Sequence, residues 1–111
     1  MVNEQIHDPS MIKPLRDVKL RKGRQDLLDA GFNELPPEES GRITFERVEQ
    51  INGVGTRTYI IHFDPNDVNG PNWHKYVVNE HGQIYELNDR GYIDAIGTKN
   101  PIGRVHIPGR K

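Results

Sequence analysis

The chain of 111 residues contains no cysteine. Disulfides, thiolate-bound zinc, iron–sulfur clusters and thiol catalysis are therefore excluded. Long apolar runs are lacking too: no stretch approaches the roughly 20 residues of a membrane span, and residues 1–15 carry no apolar block typical of a secretory signal. Hydrophobic residues make up only 33% of the sequence. This length and composition predict one small domain with a modest core and no membrane span.

The chain also lacks a strong net charge, which is −1 at neutral pH, but its charges are unevenly distributed. Residues 13–24 carry six cations against one acid, and residues 95–111 carry four cations and no acid. Two such segments are able to bind a polyanion by neutralising its phosphates. The alternative is a solvated helix face and a frayed tail.

The hydrophobic pattern predicts an α+β fold, with an N-terminal helix packed on a curved antiparallel sheet of about five strands. Helical spacing covers residues 15–30, where Gly23 is a point of division and Gly31 a stop signal. Alternation of period two and turn residues then predict strands at 42–49, 56–63, 74–78, 83–87 and 91–97. Residues 1–13 are predicted to be a flexible lead-in or linker remnant, and residues 14–111 the single domain.

Two histidines lie where the strongest predicted strand ends and the next begins. His62 is followed by Asp64, and His74 by Lys75, across a loop of turn-forming residues. If the two strands pair as a hairpin, these four side chains converge at one rim of the sheet. Two imidazoles, a carboxylate and an ammonium group can deprotonate a 2′-hydroxyl, protonate a leaving 5′-oxygen and stabilise a phosphorane without a metal. The alternative is a half-buried core His62 and a surface His74.

The same residues allow two metal-binding interpretations. His62, Asp64 and His74 offer imidazole and carboxylate ligands that suit a first-row divalent ion, although their spacing matches no specific ligand motif. Residues 64–69 are rich in oxygen ligands, as a calcium loop is, but they lack the central glycine and the final glutamate of an EF-hand. We therefore predict no metal and no other cofactor.

The C-terminal segment and the aromatic residues add candidates for substrate binding. Arg104 and His106 lie on a possible last short strand, from which either can join the site. Trp73 and four tyrosines occur at strand spacing, namely Tyr59, Tyr76, Tyr85 and Tyr92. Such rings either stack on bases or pack in the core, and core packing is the more common outcome.

The order of motifs resembles a known class of domains. It comprises a Gly-aromatic helix end, a short strand, a strand containing Tyr-Ile-x-x-x-Asp, a Gly-rich loop leading to Trp-x-Lys, and a closing meander. The residues concerned are Gly31-Phe32, Gly41 to Phe45, Tyr59 to Asp64, Gly70 to Lys75, Gly91-Tyr92 and Ile96 to Thr98. This order is similar to the C-terminal toxin domains of bacterial polymorphic and contact-dependent growth inhibition systems, in particular the ribonuclease toxins grouped with rRNA-cleaving colicins and the barnase/EndoU/RelE-like fold.

The resemblance implies a metal-independent endoribonuclease acting on rRNA or tRNA and neutralised by a cognate immunity protein. It implies catalytic roles for His62, Asp64, His74 and Lys75, with Arg57 or Arg104 on phosphate. It also implies delivery from the producing cell as part of a larger secreted or surface protein, with action in the cytoplasm of the target cell. A different class of function is also open, a non-catalytic protein-binding module in which the histidines are structural.

Overall fold

The computed structural model describes residues 13–95 and 106–111. Its elements are α1 (Leu20–Asp29), β1 (Asn33–Glu34), β2 (Ile43–Ile51), β3 (Gly55–Asp64), β4 (Asn72–Val78), β5 (Ile84–Leu87), β6 (Ile93–Ala95) and β7 (Ile107–Pro108). Arg104 and all of the predicted lead-in except Lys13 lie outside the described residues.

The strands form one antiparallel sheet. Each strand from β1 to β5 pairs with the next along the chain, and β7 pairs with the start of β4. The predicted α+β fold, with one helix and an antiparallel sheet, is therefore confirmed for the described residues, and the five predicted strands correspond to β2–β6. β7 lies in the segment where a possible last short strand was predicted, and β1 was not predicted, because a strand of two residues is too short to show an alternation.

The helix begins later than predicted, at Leu20 rather than Leu15. The backbone of Asp17 has a φ of 60°, which is incompatible with a right-handed helix. The Leu20 N–H donates to the carbonyl of Arg110 at 2.8 Å, far along the chain. Apolar residues ahead of α1 thus imitate helical spacing in a segment that the C-terminal residues hold in an irregular conformation.

Gly23 does not divide the helix, and its small size has another use. A Cβ at this position would lie 2.5 Å from the Trp73 ring, so α1 approaches the indole closely only because the side chain is absent. Gly31 ends the helix as predicted, with a φ of 87° that favours glycine.

One face of the sheet forms the hydrophobic core beneath α1. Odd-numbered positions of β3 and β4 point to this face, since side chains alternate along a strand. The buried core comprises Leu15, Leu27, Phe32, Phe45, Tyr59, Ile61, Phe63, Trp73, Val77, Leu87 and Ile107. Truncation of a fully buried aromatic such as Phe63 typically costs about 3–5 kcal/mol. Tyr59 and Trp73 therefore pack in the core, which leaves the even-numbered positions for the opposite face.

Candidate active site

The even-numbered face brings the two predicted histidines together. His62 of β3 and His74 of β4 are direct register partners, and Thr44 of β2 lies opposite His62 on the other side. Side chains at directly opposed positions leave the sheet on the same face, about 5 Å apart at their Cβ atoms. His62 is 8% exposed and His74 is 4% exposed.

Asp64 lies beside this pair and is shared between a guanidinium and an imidazole. Arg42 Nε donates to Asp64 Oδ1 at 2.7 Å, and Arg42 Nη2 donates to Oδ2 at 3.4 Å. His74 Nε2 lies 3.2 Å from Asp64 Oδ2. This nitrogen is nevertheless buried and has no hydrogen-bond partner in the part of the chain that the structure describes, because the short distance to Asp64 lacks the alignment of a hydrogen bond. His74 is thus close to a carboxylate that does not fully satisfy it.

His62 contacts a tyrosine that the sequence did not single out as a site residue. Tyr76 Oη and His62 Nε2 are 3.0 Å apart. Burial, reinforced by the Arg42 charge, lowers the pKa of His62 to about 4, so this imidazole is neutral at neutral pH. Burial raises the pKa of Tyr76 to about 12, so its hydroxyl is protonated. A hydroxyl both donates and accepts, and the contact therefore suits either tautomer of His62.

The histidine pair opens onto a cleft. The His106 ring lies against the His74 ring, with centroids 4.7 Å apart. Burial lowers the pKa of His74, an effect that the Asp64 charge opposes and does not overcome. The cleft has a volume of about 350 Å³ and is lined by Arg42, His62, Asp64, Asp67, His74, Tyr76 and His106. Four of the residues proposed from the sequence, His62, Asp64, His74 and His106, thus share one cavity.

Lys75 is not part of this cavity. It follows His74 on β4 and therefore points to the core face, where its side chain is 0% exposed. Its ammonium group donates to the carbonyls of Lys13 and Asp89, both at 2.8 Å, and lies 3.0 Å from the Asp89 carboxylate. Those oxygens account for its three N–H groups. The structure gives Lys75 a buried structural position instead of the predicted catalytic one.

Arg57 is not brought to the cleft either. It lies five residues before His62 on β3, about 17 Å away along the strand, and has the opposite facing. Its Nε lies 4.0 Å from Glu80 Oε2. Arg104 lies outside the described residues. The cation in the cleft is Arg42 instead.

Sequence reasoning missed Arg42 and considered Tyr76 only as a ring for stacking or core packing. A signal existed for Tyr76, because alternation along β4 puts it on the same face as His74. A signal existed for Arg42 as well, because a β2–β3 hairpin closed at its Asn-Gly turn pairs Ile43 with Phe63 and brings Arg42 beside Asp64.

The structure also brings the two basic segments into contact. Lys19 forms a bridge with Arg110, whose N–H donates to the Val18 carbonyl at 3.1 Å. The exposed cations of the two segments are Lys13, Arg16, Lys19, Arg21, Lys22, Arg110 and Lys111. We call these residues the basic surface. Lys22 is paired with Asp26, at 2.7 Å.

Within the described residues, no cluster of three or more histidines, aspartates or glutamates has a geometry that could hold a metal ion. The candidate calcium loop after β3 has other contacts: Asp64 binds Arg42, and an Asp67 carboxylate oxygen accepts the Asn69 N–H at 2.9 Å. The latter is a common Asx-turn.

Among the described residues, no helix combines the length and the apolar character that crossing a bilayer requires. No family model matches the chain, and no curated protein or solved structure matches it either. The cleft and the basic surface are therefore the features that point to a function.

Proposed function

We propose that the protein is an antibacterial toxin domain that cleaves RNA by general acid–base catalysis without a metal. The observation that supports this most directly is the His62–His74 pair, opposed across two strands at a cleft that also contains a carboxylate and a guanidinium. Two imidazoles on either side of a phosphodiester supply the base and the acid that transesterification of RNA requires.

His62 is assigned as the general base. Its lowered pKa keeps it neutral, so a ring nitrogen has a lone pair for the proton of the 2′-hydroxyl. We assign the tautomer in which Nε2–H donates to Tyr76 Oη, which leaves Nδ1 as the basic atom and directs the tyrosine hydroxyl proton elsewhere. A base with so low a pKa is weak, and the negative charge of a bound phosphate raises the pKa toward the useful range.

His74 is assigned as the general acid. Asp64 lies 3.2 Å from its Nε2 and stabilises the imidazolium form, while burial disfavours it. A phosphodiester bound in the cleft adds a second negative charge beside the ring, and the ring then carries a proton when substrate is present. In this role Asp64 orients and stabilises His74 and is not itself a proton carrier.

Arg42 and Tyr76 are assigned to the negative charge on the phosphorane oxygens, in place of Lys75 and of the phosphate contacts that the resemblance implied for Arg57 or Arg104. Arg42 uses Nε and Nη2 on Asp64, and its partly exposed guanidinium borders the cleft. Tyr76 offers a neutral hydroxyl donor. Fixed donors directed at developing charge are often the largest contribution to catalysis.

The proposed step is a transesterification. The 2′-oxygen bonds to phosphorus and its proton passes to His62, while the bond from phosphorus to the 5′-oxygen breaks and that oxygen takes a proton from His74. The products are a 2′,3′-cyclic phosphate end and a free 5′-hydroxyl end.

RNA, either rRNA or tRNA, is the proposed substrate, and the basic surface supports this choice. Phosphate neutralisation by clustered cations provides affinity that does not depend on sequence. The wider proposal follows the resemblance. In it, an N-terminal helix packs on a curved sheet, and residues 1–13 are a linker remnant. A larger secreted or surface protein delivers the domain, which acts in the target-cell cytoplasm and is inhibited by a cognate immunity protein.

The central experiment is incubation of the purified protein with total cellular RNA, with and without a chelator. We expect discrete fragments in both samples, with 2′,3′-cyclic phosphate ends. His62→Ala should lower the cleavage rate about 10²–10⁴-fold. The matched control is His81→Ala, because the His81 side chain is 74% exposed in a turn outside the cleft. Equal activity in both variants would contradict the assignment, and loss of wild-type activity in chelator would favour the metal-dependent alternative.

The low exposure of both histidines favours a second candidate, a protein-binding module in which they are structural. The two candidates differ in a simple property. The toxin is expected to prevent growth of bacteria that express it without an immunity protein, and His62→Ala should restore growth. A binding module would be harmless in both forms.

A further inference from the structure

A second cavity adjoins the cleft and shares His106 with it. It has a volume of about 260 Å³ and is lined by Asn69, Pro71, Asn72, His106 and Pro108. Asn72 and Pro108 are register partners on β4 and β7. The walls therefore combine two proline rings and an imidazole with two amide side chains, a mixture suited to a flat, partly polar ligand.

Asn72 has an unpartnered acceptor at this cavity. The residue is 4% exposed. Its Nδ2 donates to the carbonyl of Gly70 at 3.1 Å, which fixes the orientation of the amide because the oxygen in that place would face another oxygen. Among the described residues, its buried Oδ1 has no hydrogen-bond partner. Buried polar atoms are normally paired, so an orphaned acceptor on a residue that lines a cavity indicates a donor that binds there.

The position of Asn72 relates this acceptor to the histidine pair. Asn72 is the register partner of Asp64, and it lies two positions before His74 on the same face of β4. Two residues along a strand span about 7 Å. A nucleotide whose phosphate lies between His62 and His74 thus has its base within reach of the Asn72 cavity.

We propose that this cavity is a nucleobase subsite in which Asn72 Oδ1 accepts an N–H group from the base next to the scissile phosphate. The inference rests on the proposed ribonuclease function and adds a specificity-determining residue to it. Since one Nδ2 hydrogen is donated to the Gly70 carbonyl and the Asp67 carboxylate takes up the other, Asn72 recognises only donor groups, while the rings of Pro71, Pro108 and His106 contact the base faces. The subsite therefore selects bases by an N–H on the edge that faces Asn72.

The test measures equilibrium binding, so that it does not depend on turnover. The four nucleoside 3′-monophosphates and base-free ribose 3-phosphate are titrated by calorimetry into the wild-type protein. We expect at least one nucleotide to bind more tightly than ribose 3-phosphate. Its counterpart methylated at the donating nitrogen should bind about 3- to 10-fold more weakly, the typical effect of one hydrogen bond.

The matching protein variants are Asn72→Leu and, as control, Asn52→Leu in the β2–β3 turn. Asn72→Leu should bind the methylated and unmethylated nucleotides equally, while Asn52→Leu should retain the wild-type difference. If Asn72→Leu does not fold, the methylated probe on the wild-type protein still decides the question. Equal binding of all five ligands would overturn the subsite and indicate that water alone satisfies the acceptor.

The outcomes for the two proposals are separable. Base-dependent binding without RNA cleavage would overturn the ribonuclease mechanism and leave the subsite in place. RNA cleavage with base-independent binding, unchanged by Asn72→Leu, would overturn the subsite and leave the mechanism.

Discussion

His74 and Lys75 are neighbours on β4, yet the two faces of the sheet give them opposite environments. Lys75 is fully buried on the core face, where three oxygens from Lys13 and Asp89 surround its ammonium group. His74 is almost as buried, but among the described residues its Nε2 has no aligned partner, and its ring borders a cleft. Burial alone therefore does not distinguish a structural polar residue from a functional one. The distinction lies in whether the hydrogen-bonding groups are already satisfied and whether a cavity adjoins them.

The largest expected effect is the loss of RNA cleavage when His74, on the cleft face, is replaced. His74→Gln keeps a polar side chain of similar size but removes the proton donor, and RNA cleavage should fall about 10²–10⁴-fold. Because no aligned hydrogen bond is lost, the melting temperature should remain close to that of the wild type. Cleavage rates and thermal melts on the same preparation provide the check. A variant that is fully active, or one that is inactive because it is unfolded, would break the comparison.

Lys75→Met tests the core side. The substitution removes the cation from the half-buried Asp89 and the donor from two buried carbonyls, and removal of one partner from a buried ion pair typically costs about 3–5 kcal/mol. We expect a large fall in the free energy of unfolding, measured in urea, and little change in the cleavage rate per folded molecule. Adding Asp89→Asn should not recover the lost stability, because the Asp89 carboxylate oxygens also accept the N–H groups of Leu15 at 2.7 Å and Arg16 at 3.1 Å, and an amide has only one acceptor oxygen. A folded Lys75→Met protein with strongly reduced activity would return Lys75 to the catalytic role that the resemblance implied.

The case of Lys75 shows where the sequence was sufficient and where it was not. Alternation and turn residues predicted the strands and the loop after β3, and pairing of the two strands as a hairpin was expected to bring His62 and His74 to one rim. The same alternation already placed Lys75 on the other face, so it did not support grouping Lys75 with His74. Arg42 was within reach of the same reasoning, because a β2–β3 hairpin brings it beside Asp64. The late start of α1 was not, since Arg110, which is distant in the sequence, determines the conformation ahead of the helix.

The third prediction concerns His62, on the cleft face of the sheet, and the way in which its burial makes the stability of the protein depend on pH. Its pKa is about 4 in the folded protein and near 6.5 in the unfolded chain, so the unfolded chain binds the proton more readily between these values. This histidine therefore makes the protein less stable as the pH falls from 6.5 to 4, by on the order of 3 kcal/mol in total, with no further change below.

His62→Gln isolates this contribution, because glutamine does not titrate and other groups cancel between the two proteins. The difference in unfolding free energy between the wild type and the variant should shift by that amount between pH 7 and pH 4, in favour of the variant. Urea unfolding across this range measures it. A difference that stays constant with pH would mean that His62 has the same pKa in the folded and the unfolded protein. Its burial would then have no effect on its protonation.

The smallest expected effect is on RNA binding by the basic surface, which belongs neither to the cleft nor to the core. Affinity from phosphate contacts depends on salt, and each contact contributes about 0.7 to the slope of log K against log salt for single strands. Lys19→Gln combined with Arg110→Gln removes two adjacent exposed cations. The slope should therefore fall by about 1.4 if both residues contact RNA. Fluorescence anisotropy with an RNA oligonucleotide measures it, in a His74→Gln background that prevents cleavage.

Arg90→Gln, which removes an exposed cation from the β5–β6 turn, should leave the slope unchanged. If Arg90→Gln lowers the slope by half as much as the double variant, every cation counts equally and the net charge of the protein governs binding. The contact between the two basic segments would then have no specific role.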